Sequence, residues 1–94
     1  MRARWLRRAL RDLDEAAEFI AREDPQAAAR MVELITSSID CLTIHPASGR
    51  PGRVPGTREL VIPDAPYIIP YRVHGDTVEI LRVFHGARKW PRAF

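Results

Sequence analysis

The sequence predicts an α+β domain in which an N-terminal helical hairpin packs on a small antiparallel β-sheet. Three observations predict it. Two segments with apolar residues at helical spacing come first, a loop dense in proline and glycine follows, and the rest alternates in the manner of strands. At 94 residues the chain suffices for one domain with a modest core and is too short for two, so residues 1–94 are expected to form a single unit.

Residues 3–6 fit either a short strand or the first turn of a helix. Across residues 7–22, Leu10, Leu13, Ala17 and Ile20 recur at helical spacing with Phe19 beside them. Asp12, Asp14, Glu15 and Glu18 occupy much of the other surface. The second helix has a clear start, because Asp24 can cap it and Pro25 suits its first turn. Ala28, Met31, Ile35, Ile39 and Leu42 form its apolar stripe, and His45-Pro46 ends it, since a residue before proline is pushed out of the helical region. The short link around residues 22–24 makes the two helices antiparallel.

Pro46, Pro51 and Pro55, with Gly49, Gly52 and Gly56, exclude regular structure from the next eleven residues. Residues 57–62 then alternate, with Arg58, Leu60 and Ile62 on one side and Thr57, Glu59 and Val61 on the other. Pro63-Asp64-Ala65-Pro66 turns the chain, residues 67–73 are rich in strand formers, and His74-Gly75-Asp76 connects tightly to a strand over residues 78–84. Pro70 has no N–H for a ladder, so its strand is expected at an edge or bulged there.

Several classes of function are excluded. No run of apolar residues approaches the roughly 20 needed to cross a bilayer. The basic start is interrupted by Asp12, Asp14 and Glu15 and lacks the apolar stretch of a signal peptide, so the cytoplasm is the expected compartment and no membrane partner is expected. Cys41 is alone, which forbids an internal disulfide, and its helical setting suggests a small buried hydrophobe. There is no CxxC, HExxH, phosphate-cradling glycine loop or GxSxG elbow, and His45, His74 and His85 are too scattered for a metal site. Neither a cofactor nor a metal is expected.

Charge is unevenly divided. Residues 1–49 carry seven arginines against eight acids, whereas residues 50–94 carry eight Arg and Lys against four. The excess on the sheet half favours an anionic partner. Arg50 and Arg53 lie in the loop, Arg58, Arg72 and Arg82 on or near strands, and Arg88, Lys89 and Trp90 in the tail. Val78, Ile80, Arg82 and Phe84 share one parity, and Glu79, Leu81, Val83 and His85 the other. If helices cover one sheet face, Arg72 and Arg82 are expected together on the open face, where they would track a phosphate backbone or grip an acidic peptide. His85 is the one proton-transfer candidate near this cluster, and Arg72, Arg82 and Arg88 are the candidates for stabilising a phosphorane-like transition state. Trp90 either stacks on a base or covers the edge of the core.

The order of these segments resembles the RelE/ParE toxins of bacterial toxin–antitoxin systems. Arg7-Arg8-Ala9-Leu10-Arg11-Asp12-Leu13 and Asp24-Pro25-Gln26-Ala27-Ala28 look like the openings of that family's two helices. Gly49-Arg50-Pro51-Gly52 and Gly56-Thr57-Arg58-Glu59-Leu60 look like its helix-to-sheet junction. Tyr67-Ile68-Ile69-Pro70-Tyr71-Arg72-Val73 and Val78-Glu79-Ile80-Leu81-Arg82-Val83-Phe84-His85-Gly86-Ala87-Arg88 are the most specific pieces. The resemblance implies two helices on an antiparallel sheet with a short first strand, which favours a strand over residues 3–6. It also implies a cognate antitoxin whose acidic segment wraps the toxin and folds on binding, with operator DNA bound only through that complex.

Family members divide by target. RelE-like toxins cut mRNA on the ribosome with Arg, Lys and a C-terminal Tyr or His, whereas ParE-like toxins inhibit DNA gyrase. A RelE-type catalytic arginine follows the aromatic of the middle strand, and here Ile68 follows Tyr67. Arg88 matches the arginine after the last strand, but no tyrosine follows it. The run from Tyr67 is closer to the ParE-like pattern, so gyrase inhibition is the expected activity. The alternatives are an mRNA endonuclease using His85 and Arg88 with Arg72 and Arg82, and a non-toxic module that only binds its partner or operator. In the non-enzymatic readings, Arg50, Arg53, Arg58, Arg72, Arg82, Arg88, Lys89 and Trp90 are the expected target- or antitoxin-binding residues.

Overall fold

Asp24 opens the longer helix as its sequence predicts, its side chain accepting the Ala27 N–H at 3.0 Å while Pro25 takes the first helical position. The computed structural model describes residues 1–86 and 89–94. In it α1 spans Arg7–Ala21 and α2 spans Pro25–Ile44, separated by a three-residue turn. Ala28, Met31, Ile35, Ile39 and Leu42 are all buried along α2. Cys41, one residue off that stripe and so about 100° around the helix, is exposed rather than buried. The stripe of α1 is also rotated from the expected one. Ala9 and Leu13 are buried with Ala16, Ala17 and Ile20 packed beside them, while Leu10 is 47% exposed and Phe19 72%.

Among the described residues six strands make one sheet: β1 (Arg2–Trp5), β2 (Arg50–Pro51), β3 (Arg58–Val61), β4 (Tyr67–His74), β5 (Thr77–Ile80) and β6 (Phe84–His85), with β2 a short strand inside the stretch expected to lack regular structure. Their order is β1-β5-β4-β3-β2, with β6 also pairing β4. The pairings from β2 to β5 and of β6 are antiparallel, but β1 runs parallel to β5, so the sheet is mixed. Gly75, at φ +61°, supplies the left-handed residue that the two-residue turn between β4 and β5 requires.

Pro70 sits inside β4, paired with Glu59 of β3, and is neither at an edge nor itself bulged. The interruption falls on the neighbouring strand. Tyr71 pairs with Ile80 and Ile68 with Phe84, so three residues (Leu81, Arg82, Val83) face two (Ile69, Pro70). That is a one-residue bulge. The Pro70 carbonyl accepts from Leu81 N–H at 3.0 Å, so the N–H that proline lacks would also have pointed toward this strand. The missing donor and the broken ladder coincide.

The core lies between the hairpin and one sheet face, where Ile35, Ile39 and Leu42 meet Ile69, Tyr71, Val78, Ile80 and Val83. The bulge is why Val83 joins Val78 and Ile80 there, against the unbroken alternation expected from the sequence. Phe84 turns the other way, its ring meeting Trp90 at 4.8 Å and Phe94 at 6.1 Å. The tail thus covers part of the sheet face remote from the helices. No helix among the described residues is long and apolar enough to cross a membrane.

Candidate functional site

Four of the arginines singled out in the sequence, Arg50, Arg53, Arg72 and Arg82, fall into three separate groups, each organised by a carboxylate. Glu59 centres the first. Its side chain, 2% exposed, accepts Arg50 Nε and Nη2 at 3.1 and 2.9 Å, and the backbone N–H of Arg53 at 2.8 Å. The Arg53 guanidinium lies 3.5 Å from the same carboxylate and 4.3 Å from the centre of the Trp90 ring. Trp90 is therefore held by a cation on one side and Phe84 on the other, which fits the edge-covering role better than an open base platform. Arg58 points elsewhere, donating to the carbonyls of Ala47 and Gly49 in the helix-to-sheet loop.

Glu79 centres the second group, on the sheet face away from the helices. It accepts Arg72 Nε at 2.7 Å and lies 3.6 Å from Arg4 of β1. The Arg72 hydrogen bond, ahead of the charges of Arg72, Arg4 and His74, holds the Glu79 carboxyl below its ordinary range despite opposition from burial. The pairing follows from the turn. Gly75-Asp76 fixes the register of the hairpin, and that register sets Arg72 opposite Glu79.

Arg82 departs most from expectation. It does not stand beside Arg72 on the open face, because the bulge swings it toward α1. There Nε and Nη2 donate to the two oxygens of Asp12 at 2.7 and 3.0 Å, and the Val83 N–H released from the ladder donates to Asp12 at 3.0 Å. The Arg82 and Asp12 side chains are only 10% and 11% exposed. These hydrogen bonds raise the pKa of Arg82 above its ordinary range. The sequence alone puts Asp12 on a solvated helix face. Nothing local reveals a partner 70 residues away.

His85 occupies a different place again. It pairs with Tyr67 across the end of the sheet, with the two rings edge to face at 5.9 Å. Together with Phe19, Ile20, Met31 and Leu34 they line a shallow groove of about 430 Å³, with Arg30 and Asp64 also in its wall. Tyr67 and Arg72 are five residues apart on β4, about 16 Å at 3.3 Å per residue, and the intervening alternation sends them to opposite faces. His85 and Arg72 therefore do not converge. Lys89 is exposed, and Arg88 lies outside the described residues. No group of three or more His, Cys, Asp or Glu suited to a metal occurs among the described residues.

Comparison with known proteins agrees with this architecture. The model of the ParE toxin of type II toxin–antitoxin systems matches residues 3–90. A putative toxin, Y4kP, from Sinorhizobium fredii is 56% identical over 91 residues, covering 97% of this chain and 94% of its own. Toxin RelE1 of Caulobacter vibrioides is 40% identical over 81 residues, with 84% and 86% covered. Among solved structures, one titled as the chromosomal ParDE system from P. aeruginosa superposes with a TM-score of 0.80 at 32% identity, over 90% of this chain and 95% of that one. Two helices on a mixed sheet, the ordered junctions between them and these matches together establish that the chain belongs to the ParE toxin family of type II toxin–antitoxin systems.

Proposed function

We propose that this toxin acts in the cytoplasm by protein–protein contact, inhibiting DNA gyrase or a related topoisomerase, and is silenced by a cognate antitoxin. Family membership implies the antitoxin; the target is our reading. The observation that carries it is the dispersal, among the described residues, of the groups a ribonuclease would need. Cutting RNA through its own 2′-hydroxyl requires a base, an acid and a guanidinium around one phosphate. His85 lies by the groove, Arg72 is about 16 Å along the strand on the other face, and Arg82 is committed to Asp12. Ile68 stands where a RelE-type toxin carries its arginine.

The groove supports the second half of the proposal. Phe19 and Leu34 are exposed apolar side chains at its wall, with Arg30 and His85 as polar neighbours. It suits apolar anchors on an antitoxin segment whose carboxylates meet Arg30. Inducing the chain without its antitoxin tests the reading. The expected result is growth arrest with loss of gyrase supercoiling and unbroken mRNA. Codon-phased mRNA cuts on ribosomes with normal supercoiling would overturn it. Normal growth would point instead to a module that only binds its partner or operator.

A further inference from the structure

The proposed function leaves the amino-terminal basic segment unused. Residues 1–11 contain five arginines and no acid, although the first half of the chain as a whole carries slightly more acid than base. The structure places these arginines at one corner. Arg2 and Arg4 alternate with Ala3 and Trp5 on β1, whose apolar residues pack on the core, so both arginines face outward. Only Leu6 separates β1 from α1, where Arg7, Arg8 and Arg11 are exposed and lie away from the buried Ala9 and Leu13. Of the five, Arg4 alone has a carboxylate within 4.0 Å among the described residues, at 3.6 Å, and the other four make no ion pair there. The acids of α1 begin at Asp12, directly after Arg11, and Asp12 is engaged by Arg82.

We propose that this corner binds the phosphate backbone of duplex DNA. Guanidinium groups are donor-only forks suited to phosphate oxygens. On β1 they repeat every second residue, about 6.6 Å, and Arg7 and Arg11 lie one helical turn apart, about 6 Å. Both repeats are close to the separation of neighbouring phosphates along one DNA strand. The patch has no exposed aromatic side chain on which a single-stranded base would stack, so a duplex fits it better than a single strand. Nor does it have the apolar anchor pocket that an acidic protein would use. The contact reads no sequence, lies apart from the groove, and meets the other sheet arginines at Arg4, which shares Glu79 with Arg72. It gives the toxin its own grip on DNA, in addition to any contact made by an antitoxin and whatever the target proves to be.

Fluorescence anisotropy with a labelled 30-base-pair duplex and the purified full-length chain tests this, at salt between 50 and 200 mM. Neutralising Arg7, Arg8 and Arg11 to Gln should weaken binding at least tenfold at low salt and reduce the salt slope by roughly three, near 0.9 for each phosphate that is no longer neutralised. The variant should melt no lower than the parent, because cations at the start of a helix oppose its dipole. Unfolding is thereby separated from removal of the binding groups. Unchanged affinity and slope in the variant would overturn the proposal, as would no binding by the parent at 50 mM salt. Equal affinity for single strands or duplex RNA would overturn the assignment to duplex DNA. Displacement by polyglutamate as effective as by unlabelled duplex would move the assignment to an acidic protein.

Discussion

Replacing Asp12 with Ala should unfold this toxin more readily than any comparable change on the outer face of α1. The carboxylate accepts three hydrogen bonds, two from Arg82 and one from the Val83 backbone, in a site where both side chains are about nine-tenths buried. Without it, the guanidinium is left in a low-dielectric setting with the face of Phe84, 4.7 Å from its carbon, and the charge of Glu15 as partial compensation. Breaking a buried pair from one side costs about 3–5 kcal/mol, and an orphaned backbone N–H about 1–3. The two losses share one site and do not add in full, so we expect about 3–5 kcal/mol overall. In a domain stabilised by about 5–15 kcal/mol this removes a large share. The urea midpoint should fall by on the order of 2 M, since the slope for small proteins is about 1–3 kcal/mol per molar. Equilibrium unfolding followed by circular dichroism reads the shift. Asp12→Asn should lose less, and the double change Asp12→Ala with Arg82→Met should recover part of the loss by removing the stranded charge. A loss below about 1 kcal/mol for Asp12→Ala, the range of an exposed ion pair, would refute the claim that this carboxylate locks the bulge.

Other expectations follow from the same geometry. The Tyr71 hydroxyl donates to the Pro46 carbonyl at 2.7 Å and accepts the Gly49 N–H at 2.9 Å, so Tyr71→Phe should cost about 1–3 kcal/mol in urea melts. Gly49→Ala should also destabilise, by about 1–3 kcal/mol, because a Cβ there would sit 2.5 Å from the Tyr71 hydroxyl. Burial raises the Tyr71 pKa, and a raised pKa gives stability that is complete below the unfolded value of 10.0 and lost as pH rises toward the folded one. Alkaline unfolding should therefore begin at higher pH in Tyr71→Phe once its lower starting stability is subtracted. Glu79 behaves oppositely. Its lowered pKa stabilises the fold above the unfolded value of 4.5 and that contribution fades as pH falls through the folded one, so Glu79→Gln should flatten the acid limb of the stability profile. Finally, His85→Ala should retain toxicity in cells lacking antitoxin; loss of toxicity with folding intact would revive the ribonuclease.

Much of this architecture was legible because it is local. Asp24-Pro25 and His45-Pro46 mark the ends of α2 through backbone chemistry that needs no tertiary context, and the structure ends α2 at Ile44 accordingly. The Arg72–Glu79 pair, by contrast, was not expected, although it follows from a two-residue turn. The errors over which way residues 82–84 face share one origin. Pro70 announced a disturbance, but sequence cannot say which strand absorbs it, and the answer reversed the faces of Arg82, Val83 and Phe84. Once the bulge exists, Asp12 ceases to be a solvated helix residue and Arg82 ceases to be an open-face cation. The neighbouring carboxylates Glu59 and Glu79 likewise turn what reads as a field of arginines into separate bonded groups.

The parallel pairing of the first strand with the fifth also governs how the toxin comes into being. Arg2 meets Thr77, and the α-amino group of Met1 donates to the Thr43 carbonyl at 3.2 Å. The residues of β1 thus find their ladder partners some 75 residues further along the chain, at Thr77–Ile80. A nascent chain can close its helical hairpin early, but the sheet must await a contact spanning most of the sequence, the kind of long-range closure that slows folding. Translation interrupted anywhere before the final hairpin therefore leaves β1 unpaired and the toxin unassembled.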